Sequence, residues 1–373
     1  MILILNPGSS SLKSCWYSDD GSPLQAAMSL PVDWSSRHAP SAILEHVLRA
    51  APAGQPSRIV HRVVHGGRAL QSPLPVTPAV RTEIGRLATL APLHNPVSLA
   101  LLDECARRHP SALQFAVFDT AFHQTLPEAA ALYALPVDLA ERLQIRRYGF
   151  HGISHASVAR RAAAELARPP DSFNLISLHL GHGASACAIA GGRSIYTSSG
   201  MTPIEGLVMA SRCGDLDPGA LLHLLRTDDL APEKIDHLLN HESGLQGLCG
   251  QTDMRQIRAA ADSGDADARR ALEVYVHRIR RYIGAYFAVL GRVDALVFTG
   301  GVGENDARLR EEACATLVGL GVVLDPELNR NASGGIVRVS MPDSRVAILV
   351  IPADEEEEMM RQVFPLLAHS QEP

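Results

Sequence analysis

Two similarly planned α/β halves are predicted for this chain by three observations. Strand and helix patterns alternate along its whole length. Short apolar strands run into loops of glycine and small hydroxyl residues at three places, and two of those loops lead at once into another strand. At roughly 150 residues per domain, 373 residues suit two domains.

Taken in order, residues 2–5 are a short apolar strand, 6–11 (NPGSSS) a turn-rich loop, and 12–17 a second strand. Residues 61–67 (HRVVHGG) form a β-branched strand ending in glycines, with Arg62 near its start. The apolar run 115–118 leads into Asp119, and a carboxylate at the carboxyl end of a strand sits where α/β proteins bind ligands. Residues 146–155 (RRYGFHGISH) enter a helix expected over 157–167, with Ser154 as its candidate N-cap. Strands are expected at 174–180, 186–190 and 193–197, with the loop 181–185 (GHGAS) between the first two. The segment 212–219 (RCGDLDPG) mixes an arginine with two aspartates in a turn-rich loop. Apolar residues three and four apart predict helices over 266–290 and 306–317. Between them, a strand over 295–298 ends in the loop 299–305 (TGGVGEN). A strand over 346–351 and a helix over 355–364, ended by Pro365, close the chain. The boundary between the halves falls near 120–150.

Glycine and hydroxyl residues after a strand let backbone N–H groups approach phosphate closely. None of the three loops fits G-x-x-x-x-G-K-[ST] or G-x-G-x-x-G, so a P-loop and a dinucleotide fold are not indicated. Together the loops predict a nucleotide or polyphosphate in a cleft between two similar domains. Composition narrows the class further. The 46% hydrophobic and 20% charged content is that of a globular chain, and a net charge of −6 argues against non-specific nucleic-acid binding. No apolar run approaches the ~18 residues of a membrane span, and a cytoplasmic location is expected. The six cysteines contain no C-x-x-C pair, which disfavours a zinc ribbon or a disulfide framework. Only Lys13 and Lys234 among the 34 basic residues are lysine. His151 and His155 stand at i,i+4 without the glutamate and third ligand of a zinc site.

The chain resembles the acetate kinases, within the acetate/propionate/butyrate kinase group of the actin-like superfamily. The resemblance rests on 6–13 (NPGSSSLK), 61–67 (HRVVHGG), 92–96 (PLHNP), 118–123 (FDTAFH), 146–155, 179–185, 202–217 (TPIEGLVMASRCGDLD), 253–255, 298–305 and 351–356, all in family order. It implies two similar actin-like (ribonuclease H-like) domains, residues 1–122 plus about 357–373 and residues 123–356, with the nucleotide cleft between them. The implied reaction is reversible phosphoryl transfer from ATP to acetate, giving acetyl phosphate and ADP, with Mg²⁺ or Mn²⁺. A homodimer built through the second domain is implied, with no nucleic-acid or membrane partner. Propionate or butyrate as acceptor, or pyrophosphate as donor, are the alternatives.

The same resemblance assigns roles. Arg62 and Arg212 would hold the acetate carboxylate and the transferred phosphoryl group, with His151 and His94 at the same centre. Asp119 would orient the arginines or the magnesium shell, and Asn6 and Glu355 would anchor the metal. Ser9, Ser11 and Lys13 belong to the first phosphate loop, and His179, Gly181, His182 and Gly183 to the second. Val64, Leu93, Phe150 and Pro203 would wall the methyl pocket. Asp253, Met254, Arg255, Gly301, Val302, Gly303 and Asn305 would surround the adenosine. Three positions depart from the family pattern: His182 replaces an asparagine, Ile153 a threonine and Asp354 an asparagine.

Overall fold

The computed structural model describes residues 1–8, 11–34, 36, 38–52, 54–227 and 230–369. These fall into two compact units. The first comprises Met1–Gln124, Phe150–Ser157 and the stretch from Asp354; the second comprises Thr125–Gly149 and Val158–Ala353.

The first unit is built on β1 (Ile2–Pro7), β2 (Ser11–Tyr17), β3 (Met28–Pro31), β4 (Arg58–Val63), β5 (Leu74–Pro75) and β6 (Leu113–Phe118), in the order β3-β2-β1-β4-β6-β5. The β1–β2–β3 meander is antiparallel, while β1, β4 and β6 run parallel. Every residue of β1 is buried, as expected for a central strand covered on both faces. Its side chains alternate accordingly. Ile2 and Ile4 pack with Met359, Met360, Val363 and Leu367 of the helix Glu355–His369, whereas Leu3 and Leu5 pack with Leu44, Val47 and Leu101.

The second unit repeats the plan with β7 (Asn174–Leu180), β8 (Ala184–Ala190), β9 (Arg193–Thr197), β10 (Ala295–Thr299), β11 (Val337–Arg338) and β12 (Ala347–Val350), in the order β11-β12-β10-β7-β8-β9. Here too a meander, β7–β8–β9, borders parallel strands β7, β10 and β12. Ala268, Ala271, Leu272, Tyr275, Val276, Ile279, Ile283 and Tyr286 form the buried face of the helix Ala266–Leu290, which the three-four spacing predicts. Its N-cap Asp265 accepts from the N–H groups of Asp267 and Ala268, and Gly291 follows its last turn with φ +67°.

Four expectations are corrected. The stretch 299–305 is not a loop. Thr299 completes β10 and Gly300–Asn305 is a short helix. Gly300 makes the turn with φ +78°, where a Cβ would lie 2.7 Å from the Leu180 carbonyl oxygen. Ser154 is not an N-cap, because the helix Gly152–Glu165 begins two residues earlier, pinned by the Gly152 N–H donating to the Asp119 carbonyl at 3.0 Å. Pro365 does not end the last helix, which continues to His369. Proline lies on its exposed side, while Val363 and Leu367 on the buried side keep the turn packed. Lastly, Phe150–Ser157 belongs with the first unit. Ile153 packs among Ile2, Ile4 and Met359, a long-range contact that no local pattern encodes.

Candidate active site

Parallel pairing of β1, β4 and β6 brings their carboxyl ends to one edge of the first sheet, and with them Asn6, Arg62 and Asp119. Arg62 Nη2 donates to Asp119 Oδ2 at 2.5 Å, and Nη1 donates to the Pro7 carbonyl at 2.8 Å and to Asn6 Oδ1 at 3.3 Å. From its other end Asn6 donates Nδ2 to Glu355 Oε2 at 2.8 Å and to Glu356 Oε1 at 2.5 Å. All five side chains are buried. Burial opposes charge on Arg62, but Asp119, Glu355 and Glu356 outweigh it and hold the guanidinium protonated, above the ordinary arginine value. Burial, reinforced by the Glu355 charge, raises the Glu356 carboxyl; Lys13, on β2 opposite Asn6, works against that rise. Ser11 begins β2, its carbonyl accepting from the Gly8 N–H at 2.7 Å, while Ser9 lies outside the described residues.

The neighbouring segments lock onto this edge. Ser98 Oγ donates to the Arg62 carbonyl at 3.1 Å. Asn95, buried, donates to the His65 carbonyl at 3.0 Å and accepts from the His65 N–H at 3.1 Å, fixing the turn that carries His94 beside the end of β4. Burial pushes His65 down to about 4, so the ring is neutral; its Nδ1 accepts from the Gly67 N–H at 3.0 Å, and it meets Phe150 edge-on at 5.7 Å. Val64 and Phe150 are buried, whereas Leu93 is 43% exposed and contributes less wall than the resemblance implies. His151 adopts φ +55°, a left-handed conformation costing an L-residue about 1–2 kcal/mol. Such strain is held only where the surroundings over-determine it. Here Gly152 supplies the constraint: a Cβ there would lie 2.0 Å from the Asp119 carbonyl oxygen.

In the second unit Arg212 is the informative residue. Among the described residues its side chain reaches the Met209 sulfur, at 3.9 Å, and has no carboxylate partner. Burial accordingly lowers its pKa below the ordinary arginine value. A half-buried guanidinium without a carboxylate partner is costly unless an anion completes it. The loop carrying Arg212 meets the second glycine loop, where the Ala210 N–H donates to the His182 carbonyl at 3.1 Å. The protein around the His182 ring, and then the Arg212 charge, push its pKa below the ordinary histidine value.

Beside it opens a cavity of about 730 Å³, lined by Gly181, His182, Asp253, Met254, Arg255, Gly301, Val302 and Asn305 together with Thr252, Arg258 and Asp306. That volume suits a nucleoside. Asp253 caps the helix Met254–Asp262 and pairs with Arg255 at 2.6 Å; Asn305 Nδ2 donates to the Gly301 carbonyl at 2.8 Å. Three other expected residues do not line the cavity. His179 stands half-buried on β7, Gly183 closes the loop by accepting from the Gly181 N–H, and Gly303 accepts from Arg310. Pro203 lies half-buried in a turn before Glu205, whose carboxylate takes the buried Arg147 Nη2 at 2.5 Å.

Sequence reasoning passed over Glu356, His123 and Arg258. Signals existed for two of them: Glu356 stands next to Glu355 in a run of four glutamates opening a helix, and His123 closes the motif 118–123. Arg258 is held by Asp306 and Glu312, 48 and 54 residues away, and nothing local marks it.

Residues 37–361 match the Acetokinase family. The chain is similar to an acetate kinase of Streptomyces coelicolor, 51% identical over 84% of this chain and 77% of that one, and to an acetate kinase of Sulfurovum sp., 46% identical over 97% of both. Among solved structures it is similar to Porphyromonas gingivalis acetate kinase, with TM-score 0.88 and 36% identity, covering 98% of this chain and 99% of that one. A propionate kinase from Francisella tularensis matches with TM-score 0.88 and 34% identity, over 97% and 98%.

Proposed function

The chain belongs to the acetokinase family, and from that premise we infer how its residues divide the work of moving a phosphoryl group onto a carboxylate. Its activity is that of an acetate kinase, a phosphotransferase with a carboxyl group as acceptor. Acetate and ATP are the proposed substrates, and acetyl phosphate and ADP the products.

The observation that carries the residue assignments is the contrast between two arginines: buried Arg62, held by a carboxylate, and half-buried Arg212, without a carboxylate partner among the described residues. An acceptor carboxylate with pKa near ~4–4.5 is already ionised at neutral pH, so the reaction needs no general base. The barrier is the approach of two anions, with charge spread over the transferring phosphoryl group. Arg62, oriented by Asp119, holds the acceptor carboxylate; its planar fork can bind oxygens bidentately, as an ammonium cannot. Arg212 takes the phosphoryl oxygens, and His151 donates to them as charge develops, with His94 assisting. The cavity beside His182 takes the adenosine.

A divalent cation fits the first unit. Glu355 and Glu356 present hard carboxylate oxygens, now bridged by the Asn6 amide nitrogen, and two crowded carboxylates gain from a positive charge; Asn6 would join them as an oxygen donor with its amide turned over. Among the described residues there is no group of three or more His, Cys, Asp or Glu side chains that could hold a metal by itself. We assign Asn6 and Glu355 as its holders, and Mg²⁺ or Mn²⁺, when bound, neutralises phosphate charge. A homodimer through the second unit and a cytoplasmic location complete the proposal; light scattering tests the first. No helix among the described residues is long and apolar enough to cross a membrane.

A coupled assay crossing acetate, propionate and butyrate with ATP and pyrophosphate tests the reading. Acetate with ATP should give the highest kcat/KM. The propionate kinase of like fold keeps propionate as the second acceptor to exclude. One methylene in an apolar pocket is worth only ~1–3 kcal/mol, so propionate should be a poorer substrate yet still turned over. Val64→Ala should narrow the acetate–propionate gap by on the order of tenfold. A wild-type preference for butyrate would sink the acetate assignment.

The His182 departure yields a pH prediction. Unliganded, its pKa lies below the ordinary histidine value, so the ring is neutral at neutral pH. A phosphate dianion beside it raises that pKa, so binding takes up a proton where the two states differ. Affinity for ATP should therefore fall several-fold as pH rises from about 6 to about 8. His182→Asn should flatten the profile and keep activity. Superimposable KM-against-pH curves for the two proteins, at fixed Mg²⁺, would show that His182 does not sense the phosphate.

A further inference from the structure

We infer that His123 is a positioning residue for His151, holding the peptide that joins Phe150 to His151 through a hydrogen bond to the Phe150 carbonyl. The inference rests on the role proposed above for His151. His123 is buried in the short turn Ala121–Thr125, four residues after Asp119. Its Nε2 lies 2.9 Å from the Phe150 carbonyl oxygen. A carbonyl offers only lone pairs, so Nε2 must carry the proton, and the contact selects one tautomer of the ring. The ring is further confined edge-on by Phe122 at 5.7 Å and by His155 at 5.8 Å.

The peptide it grips sets the orientation in which His151 leaves the backbone. His151 has φ +55°, a conformation that relaxes unless both flanking peptides are held. On the following side the Gly152 N–H donates to the Asp119 carbonyl at 3.0 Å. On the preceding side stands His123. Both anchors come from one five-residue stretch, Asp119 to His123, whose first member also holds Arg62. Through that stretch the acceptor-binding arginine and the phosphoryl-facing histidine share one rigid support, and small displacements of such groups carry large rate penalties.

Two amide variants separate positioning from packing. In His123→Gln the side-chain nitrogen can occupy the place of Nε2 and donate to the same carbonyl; in His123→Asn the shorter amide reaches only the place of Nδ1. We expect H123N to lower kcat at least tenfold with KM for ATP within twofold of wild type, and H123Q to recover kcat to within about threefold. H123N should add no further loss in a His151→Ala background. Equal kcat in H123N and H123Q, or full additivity with H151A, overturns the inference and leaves His123 a packing residue. Near-wild-type activity of H151A alone would instead overturn the assignment of His151. Circular dichroism and thermal melting on all four proteins confirm that folded enzymes are compared.

Discussion

Arg62→Ala should lower kcat/KM at least about 100-fold, the scale of losing one oriented charge from a phosphoryl-transfer site. The same substitution costs stability. It leaves Asp119, which is 0% exposed, without the guanidinium that compensates it, and breaking a buried pair from one side typically costs ~3–5 kcal/mol. Two measurements separate the effects. Asp119→Asn with Arg62 retained keeps the shape of the pair and removes the stranded charge, so its activity loss reports orientation of the arginine. Arg62→Lys keeps the charge but cannot reproduce the fork to Asp119, Pro7 and Asn6, and should still lose at least about tenfold in kcat/KM. A folded Arg62→Ala enzyme with near-wild-type kcat/KM would refute the assignment.

Arg212→Ala should match that loss in rate, about 100-fold or more, with the opposite effect on stability. Arg212 is a half-buried cation with no carboxylate partner among the described residues, and desolvation by the surrounding protein lowers its pKa. A lowered pKa on a guanidinium that stays protonated at neutral pH means that its charge costs folding free energy relative to the unfolded chain. Removing the side chain relieves that cost, so the unliganded variant should melt at the wild-type temperature or above it. Nucleotide and acetyl phosphate should then stabilise wild type more than the variant, since ligand stabilisation follows affinity. A variant that is destabilised in the unliganded state, yet binds and turns over substrate normally, would make Arg212 a structural residue.

The paired outcomes distinguish two ways of using arginine. Arg62 is held by Asp119 before substrate arrives, so its geometry is prepared and its charge is partly balanced. Arg212 has no carboxylate partner among the described residues, an arrangement that would favour a ligand bringing more than one negative charge. A carboxylate suits the first and a phosphoryl group the second.

Local patterns made much of this fold legible. The short apolar runs bounded by turn residues at Asn174–Leu180 and Arg193–Thr197, and the three-four spacing of Ala266–Leu290, are properties of single segments, and the strands and helix occupy those residues. The repeated strand-loop-strand plan anticipated two sheets of like order, because each meander is a local hairpin chain followed by parallel strands. Local reading failed where packing overrode propensity. Glycine-rich Gly300–Asn305 is helical under Leu180, and the last helix carries Pro365 because its other face is buried against β1.

By itself the sequence determined the fold class, the doubled architecture and the family, and it named residues for the candidate site. The tertiary structure alone decided which of those residues meet. Arg62 reaches Asp119, 57 positions on, because β4 and β6 pair in parallel; Asn6 reaches Glu355 and Glu356, 349 and 350 positions on, because the final helix returns to the first sheet. The absence of a carboxylate beside Arg212 among the described residues and the left-handed turn at His151 belong to the same class of fact. Hydrogen bonds within a helix or hairpin and the burial of one face repeat with a fixed period, so they leave a periodic trace in the chain. The register of parallel strands and the balance of charge in a buried site depend on residues far apart, and no local period records them.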